Sequence, residues 1–375
     1  MFGVHVFKAA SVQVLYLLPS SWEAPVFWIT VWVLGALVVV LFALVGWALV
    51  LRLLRQRKQR RQRRLEARWQ PCLDRILAGQ APPQELHQAV HPNEEAHLVS
   101  FLHRRAPDVN DEDLKVLRVL ARPYLEIPYD VATQGTPEQR AYQVHRIGWL
   151  GGAEADSVLR QALEGPSPFV AMVAARALIR RCPASAVERE ERARLIVGAL
   201  PRFKNWSRKS LAALLARLEG APAPLRQTYA DPEADLRVRL IAAAALRELD
   251  DADAAPLAVR ILQDEKSPLE LLTASLRLLE KVGRSADGPF MRALSYTENE
   301  VIRIRALSAL AHIGRPTDAD RFEEALDDPS RWVARQAAMG LVRLGRPDAL
   351  FALIETDHPR ASLAHQVLTH HRIAA

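Results

Sequence analysis

Seven segments of this chain repeat one pattern at a nearly fixed interval, and that periodicity restricts the fold more than any other feature. They are QRAYQVHRIGWLG (139–151), VAMVAARALIRRC (170–182), SRKSLAALLARLE (207–219), VRLIAAAALRELD (238–250), LLTASLRLLEKVG (271–283), IRIRALSALAHIG (302–314) and VARQAAMGLVRLG (333–345). One apolar position recurs at Ile147, Leu178, Leu215, Leu246, Leu279, Leu310 and Leu341, at intervals of 31, 37, 31, 33, 31 and 31 residues. Such regularity predicts a repeat architecture, in which each unit buries its apolar face only against its neighbours.

Each unit reads as two helices. Small residues such as Ala175, Ala243, Ala306 and Ala337 let neighbouring helices approach, and larger residues three and four positions on fill the gap at helical spacing. Shorter amphipathic helices precede the turns, as in DSVLRQAL (156–163), APLAVRIL (255–262) and ADRFEEAL (319–326). The turns EGPSP (164–168), ADPEAD (230–235), DEKSP (264–268) and DDPS (327–330) supply Asp, Ser and Pro to cap and start the next helix.

The Asp-Pro, Val-Arg and alanine-rich helix order stands as DPEADLRVRLIAAAALREL (231–249) and DDPSRWVARQAAMGLVRLG (327–345). It resembles the HEAT repeat family in its short bacterial form of about 31 residues, also seen in phycobilisome lyase-like repeats. The resemblance covers roughly residues 136–360. It implies an all-α chain whose body is a right-handed α-solenoid with a face usable for partners. The Val-Arg arginine is present at Arg140, Arg208, Arg239 and Arg303, and is replaced by Ala171, Leu272 and Ala334 elsewhere, so an arginine ladder along the array is broken.

A second feature lies before the repeats. From Val26 to Leu51 no residue is charged. Twenty-six residues at 1.5 Å rise span ~39 Å, enough to cross a ~30 Å hydrocarbon core. Trp22, Phe27, Trp28, Trp32 and Trp47 suit interfacial positions near its ends. A basic run follows rather than precedes the apolar stretch, which argues against a cleaved signal peptide. Residues 52–68 hold Arg52, Arg55, Arg57, Lys58, Arg60, Arg61, Arg63, Arg64 and Arg68 against Glu66 alone, a charge of +8. By the positive-inside rule the carboxyl side is cytoplasmic and the tail of residues 1–25 lies outside. The first eight of those cations are candidate contacts to anionic headgroups. The whole chain carries +7 and residues 1–51 carry none of it, which leaves −1 on residues 69–375. A body so close to neutral lacks the basic footprint of a nucleic-acid-binding array.

Residues 69–135 are helical by pattern without fitting the repeat, and read as an adapter that caps the array. CLDRILAG (72–79) reads as its first helix, ended by a glycine. Residues 136–350 are assigned to the repeats and 351–375 to a C-terminal cap. His87, His91, His97 and His103 cluster in the adapter, with His87 and His91 at helical i, i+4 spacing, but Pro92 follows and no HExxH occurs. His358, His365, His370 and His371 gather near the end. Neither group makes a ligand set, so no metal and no cofactor are expected. Cys72 and Cys182 are too few and too far apart for a disulfide framework, and read as reduced thiols. No P-loop, GxGxxG, GxSxG or paired-carboxylate motif occurs.

Phe169, Trp206, Arg237 and Trp332 occupy the same repeat position, one before the Val of Val-Arg, with Arg208, Arg239 and Arg303 nearby. Together they form a candidate stripe of partner contacts, since Trp and Arg dominate binding hot spots; aromatic packing into the adjacent unit is the competing reading. The expected function is a membrane-tethered, non-enzymatic scaffold for protein partners. The layout resembles bacterial inner-membrane HEAT proteins, which implies a polysaccharide synthase (a glycosyltransferase) or a transport complex as partner. A bilin lyase-like subunit and a nucleic-acid-binding HEAT array are the alternatives.

Overall fold

The computed structural model describes residues 24–125, 135–181, 185–356 and 358–371. Most of the N-terminal tail including Trp22, residues 126–134 of the adapter segment, and Cys182 therefore lie outside the described residues. Every described element is helical, and no strand occurs among the described residues. The chain divides into two compact units, Met1–Leu120 and Ala121–Ala375.

The first unit is organised by one helix, α1 (Ala24–Leu77), 54 residues long. It runs without a break through the apolar span, the basic run and the segment read from sequence as a separate helix at 72–79. The reason is compositional. Residues 52–70 are rich in Arg, Gln and Leu, all good helix formers, the helix passes through Pro71, and Gly79, whose φ is +71°, ends the rod. Val31–Leu53 has a mean hydropathy of 2.8, and none of it is covered by the rest of the described structure. The far end of α1 is different. Trp69, Cys72, Leu73 and Ile76 recur at helical spacing and are buried. The face they form packs with α3 (Glu95–Arg105), whose Leu98, Phe101 and Leu102 are also buried. The Trp69 and Phe101 rings lie 6.0 Å apart. Glu66, the one acid in the basic run, accepts from Arg104, and Arg75 pairs with Glu85 on α2 (Gln84–Gln88). Helix α4 (Asp111–Ala121) opens with three acids at its N-terminus, where the helix dipole favours them.

The second unit is a stack of helix pairs. One row holds α5 (Pro137–Leu150), α7 (Pro168–Arg180), α9 (Arg208–Leu215), α11 (Leu236–Glu248), α13 (Leu269–Val282), α15 (Glu300–Ile313), α17 (Arg331–Arg343) and α19 (Ala361–His370). The other row holds α6 (Ala155–Glu164), α8 (Ala186–Gly198), α10 (Pro222–Ala230), α12 (Ala255–Gln263), α14 (Gly288–Leu294), α16 (Ala319–Ala325) and α18 (Asp348–Glu355). From α9 onward, each helix of the first row packs on the next, and α5 packs on α7 in the same way. Helices α6, α10, α12, α14, α16 and α18 each pack on the first-row helix that follows. This is the α-solenoid that the period implied. The single 37-residue interval contains the 13-residue α8 and the extra turn Leu200–Arg202.

The caps fall largely where the turns placed them. Ser167, Asp235 and Ser330 accept backbone N–H bonds at the starts of α7, α11 and α17. The turn at 264–268 departs from expectation: Pro268 precedes α13 with no side-chain cap, because Ser267 turns back to Asp264. Ala175, Ala243, Ala306 and Ala337 are all buried, at the close approaches that small residues permit. Two glycines are closer still. A β-carbon on Gly148 of α5 would lie 2.4 Å from the Ala177 methyl on α7, and one on Gly340 of α17 would lie 2.3 Å from the Phe322 ring on α16. The last pair, α18 and α19, packs together and α19 packs on α17, so the segment assigned to a cap continues the stack.

Candidate partner-binding groove

The arginines of the repeats are used chiefly as fasteners. Arg303 pairs through Nε and Nη2 with both carboxylate oxygens of Asp328 of the next turn, at 2.9 and 3.0 Å, and donates through Nη1 to the carbonyls of Thr297 and Glu298. At this position the motif's arginine, at the start of one helix, holds the aspartate that opens the next unit. Arg239 donates to the Tyr229 carbonyl at the end of α10, at 3.1 Å. Arg237 reaches back one repeat to the carbonyls of Phe203 and Trp206. Near the start of the stack, Arg181 and Arg192 converge on Asp156, Arg181 at 2.7 Å, with Arg192 only 4 % exposed. Toward the end, the buried Arg321 stacks on Tyr296 at 3.7 Å and donates to the Ser295 hydroxyl and carbonyl.

The candidate stripe is therefore split. Arg237, Arg239 and Arg303 are spent on backbone carbonyls and on Asp328. Trp206 is half-buried with its ring 5.8 Å from Phe203, the intramolecular packing that competed with a binding role. Phe169 (49 % exposed) and Trp332 (63 % exposed) remain open, as does Arg208. Of the candidate headgroup contacts, Arg52, Arg57, Arg60, Arg63 and Arg64 are exposed on α1. The side chains of Arg55, Lys58 and Arg61 lie outside the described residues. His87 and His91 do not share a helical face: His87 sits on α2, whereas His91 adopts extended backbone before the turn Pro92–Glu94. Burial lowers the pKa of His87. Cys72 is a buried thiol whose pKa is raised by burial and then by Glu85.

The depressions on the second unit described next lie along the first row. A groove of about 520 Å³ crosses α9, α11 and α13. Its floor is Ala212, Ala213, Ala243, Ala244 and Ala274, and its rim carries Arg208, Lys209, Arg247 and Arg277 with Glu248 and Glu270. Two further depressions continue on the same row. One is lined by residues of α13, α15 and α17, including Glu280, His312 and Arg343, and the other holds Trp332 beside Ile304, Arg335 and Met339. Repeat register explains the floor. The same small-residue positions that bring neighbouring helices together recur on each helix of the row, so they leave a trough between the longer side chains. Arg277 feels the resulting crowding. Burial lowers its pKa first, Arg305 and Arg247 lower it further, and Glu280 opposes them. As a guanidinium it stays charged regardless. Sequence reasoning found Arg208 but missed Arg247, Arg277 and Arg305. Their shared face emerges only when successive helices are stacked, because the net charge of the body conceals where the charges lie.

Stacked two-helix units with buried alanine contacts and inter-repeat arginine–aspartate fasteners define an α-solenoid of repeats. Residues 289–368 match the family described as HEAT repeats. This stretch of the chain carries HEAT repeats. Among solved structures, the complex of CpcE and CpcF of phycocyanin lyase from Nostoc sp. PCC7120 matches over 77 % of this chain and 93 % of that chain, at 19 % identity and a TM-score of 0.22. So loose a likeness carries no functional argument. No curated protein matches the sequence significantly.

Proposed function

We propose that this chain is a membrane-tethered, non-enzymatic scaffold that holds a protein partner at the cytoplasmic face of the inner (plasma) membrane. The observation that carries the reading is α1. Its Val31–Leu53 segment is long enough to cross a bilayer, and none of it is buried by the described residues. An apolar surface of this size needs lipid or another protein around it. The helix then continues through the basic run into the folded adapter without a flexible joint. The cations on one flank only support a cytoplasmic carboxyl side. Confinement to the membrane surface raises the effective concentration of the solenoid for membrane partners. A polysaccharide synthase or a transport complex is the partner class to test first, on the resemblance of the layout alone.

The test has two parts. Reporter fusions at the carboxyl terminus are expected to be fluorescent as a green fluorescent protein and inactive as an alkaline phosphatase; the reverse overturns the orientation. Affinity capture of the full chain from membranes in mild detergent is expected to bring down one protein in fixed stoichiometry, and the repeated absence of any such protein overturns the scaffold.

A further inference from the structure

The first-row helices carry a cation on each of four successive members: Arg208 on α9, Arg247 on α11, Arg277 on α13 and Arg305 on α15, with Lys209 beside the first. Among the described residues only Arg247 of these lies within ion-pair distance of a carboxylate, the adjacent Glu248 at 3.1 Å, in a solvent-exposed and therefore weak pair, while Glu280 acts on Arg277 from farther off. The arginines that fasten the repeats are satisfied by carbonyls and aspartates; these are not. We propose that this groove receives an acidic, helical segment of a partner protein, its carboxylates meeting the arginine series and its apolar face resting on the alanine floor. The assignment rests on the scaffold reading above and deepens it.

Spacing and charge both point to this occupant. Packed helices lie about 8–10 Å apart, so the series advances by roughly that distance per helix. An α-helix laid across it rises about 10.5 Å in seven residues, so Asp or Glu at heptad spacing would meet one arginine after another. The alanine floor admits the apolar side of such a helix at close range. A nucleic-acid backbone fits less well. Glu248 and Glu270 on the rim would face a continuous line of phosphates, and residues 69–375 together carry −1, without the long basic track that phosphate binding uses.

The experiment uses the full chain in nanodiscs of zwitterionic lipid. The probe is a fluorescent helical peptide of about 22 residues with Glu at every seventh position on an Ala- and Leu-bearing background. Salt-sensitive binding is expected, weakened about ten-fold or more by the Arg247→Glu/Arg277→Glu double variant, as loss of central charged contacts implies. Exchanging Glu for Lys in the peptide is expected to restore binding to that variant, which a misfolded variant would not allow. Absence of binding, equal binding to the double variant, or displacement of the peptide by a short DNA duplex or by phosphatidylglycerol vesicles at lower charge concentration overturns the proposal. Capture from membranes separates the two levels. A partner retained equally by the double variant removes the groove assignment and leaves the scaffold; no partner with the unaltered chain removes the scaffold.

Discussion

Gly340→Ala gives a prediction whose sign depends on tertiary structure. Gly340 lies inside α17, where replacing glycine by alanine in an isolated helix stabilises by about 1 kcal/mol. In the folded array the new methyl would sit 2.3 and 2.4 Å from two carbons of the Phe322 ring, and that ring is fully buried. The ring cannot swing into solvent, so α16 and α17 must separate or Phe322 must leave its rotamer. Overpacking of this kind costs roughly 1–3 kcal/mol. Where the cost is at the upper end, subtraction of the propensity gain leaves about 1–2 kcal/mol of net destabilisation. Phe322→Leu makes room while costing about 1 kcal/mol of its own through lost contacts. The double variant is therefore expected to be more stable than the sum of the two singles by about 1 kcal/mol or more. Because a repeat array unfolds locally, hydrogen exchange in α16 and α17 is the primary measurement, with denaturant unfolding beside it. Faster exchange in Gly340→Ala, partly restored by Phe322→Leu, is expected. Unchanged or slower exchange in the single variant would falsify the close-packing account.

Asp156→Ala leaves Arg181 and the buried Arg192 without their shared carboxylate; since Asp156 is itself partly exposed, a loss of about 2–4 kcal/mol is expected by denaturant unfolding. Tyr229→Phe removes the buried hydroxyl that meets Ser275 at 2.5 Å, for about 1 kcal/mol near neutral pH. Burial raises the Tyr229 pKa above its ordinary value of 10, so its contribution is present below that pH and is lost as pH rises beyond it. Stability measured from pH 9 to 12 is therefore expected to fall more steeply in the unaltered protein than in Tyr229→Phe, subject to the ordinary tyrosine value of about 10. His145 behaves oppositely: burial first and Arg180 second lower its pKa, and its neutral Nε2 accepts from Trp149 at 3.3 Å. Its contribution is present above the ordinary histidine value of about 6.5 and is lost below it, so His145→Gln is expected to flatten the acid limb of a thermal-stability profile.

Much of the architecture is written in the chain itself. The 31-residue period, the buried alanines and the serine and aspartate caps are local or nearest-neighbour properties, so a linear pattern carries them without reference to distant parts. The apolar run of α1 is likewise a property of composition. The sequence also placed Trp332 at a repeat position that proves open.

Other features were decided by the stack. Arg237, Arg239 and Arg303 look like binding residues in a list, yet whether an arginine meets solvent or a carbonyl depends on the turn that the neighbouring repeat brings to it. Helix α1 runs on across stretches of very different polarity and through Pro71, which composition shifts disguised as boundaries. Gly340 reads as a weak point of its helix until Phe322 is set against it. Arg208, Arg247, Arg277 and Arg305 stand 28 to 39 residues apart along the chain. They become one charged series because successive helices pack side by side, a geometry that no net charge records.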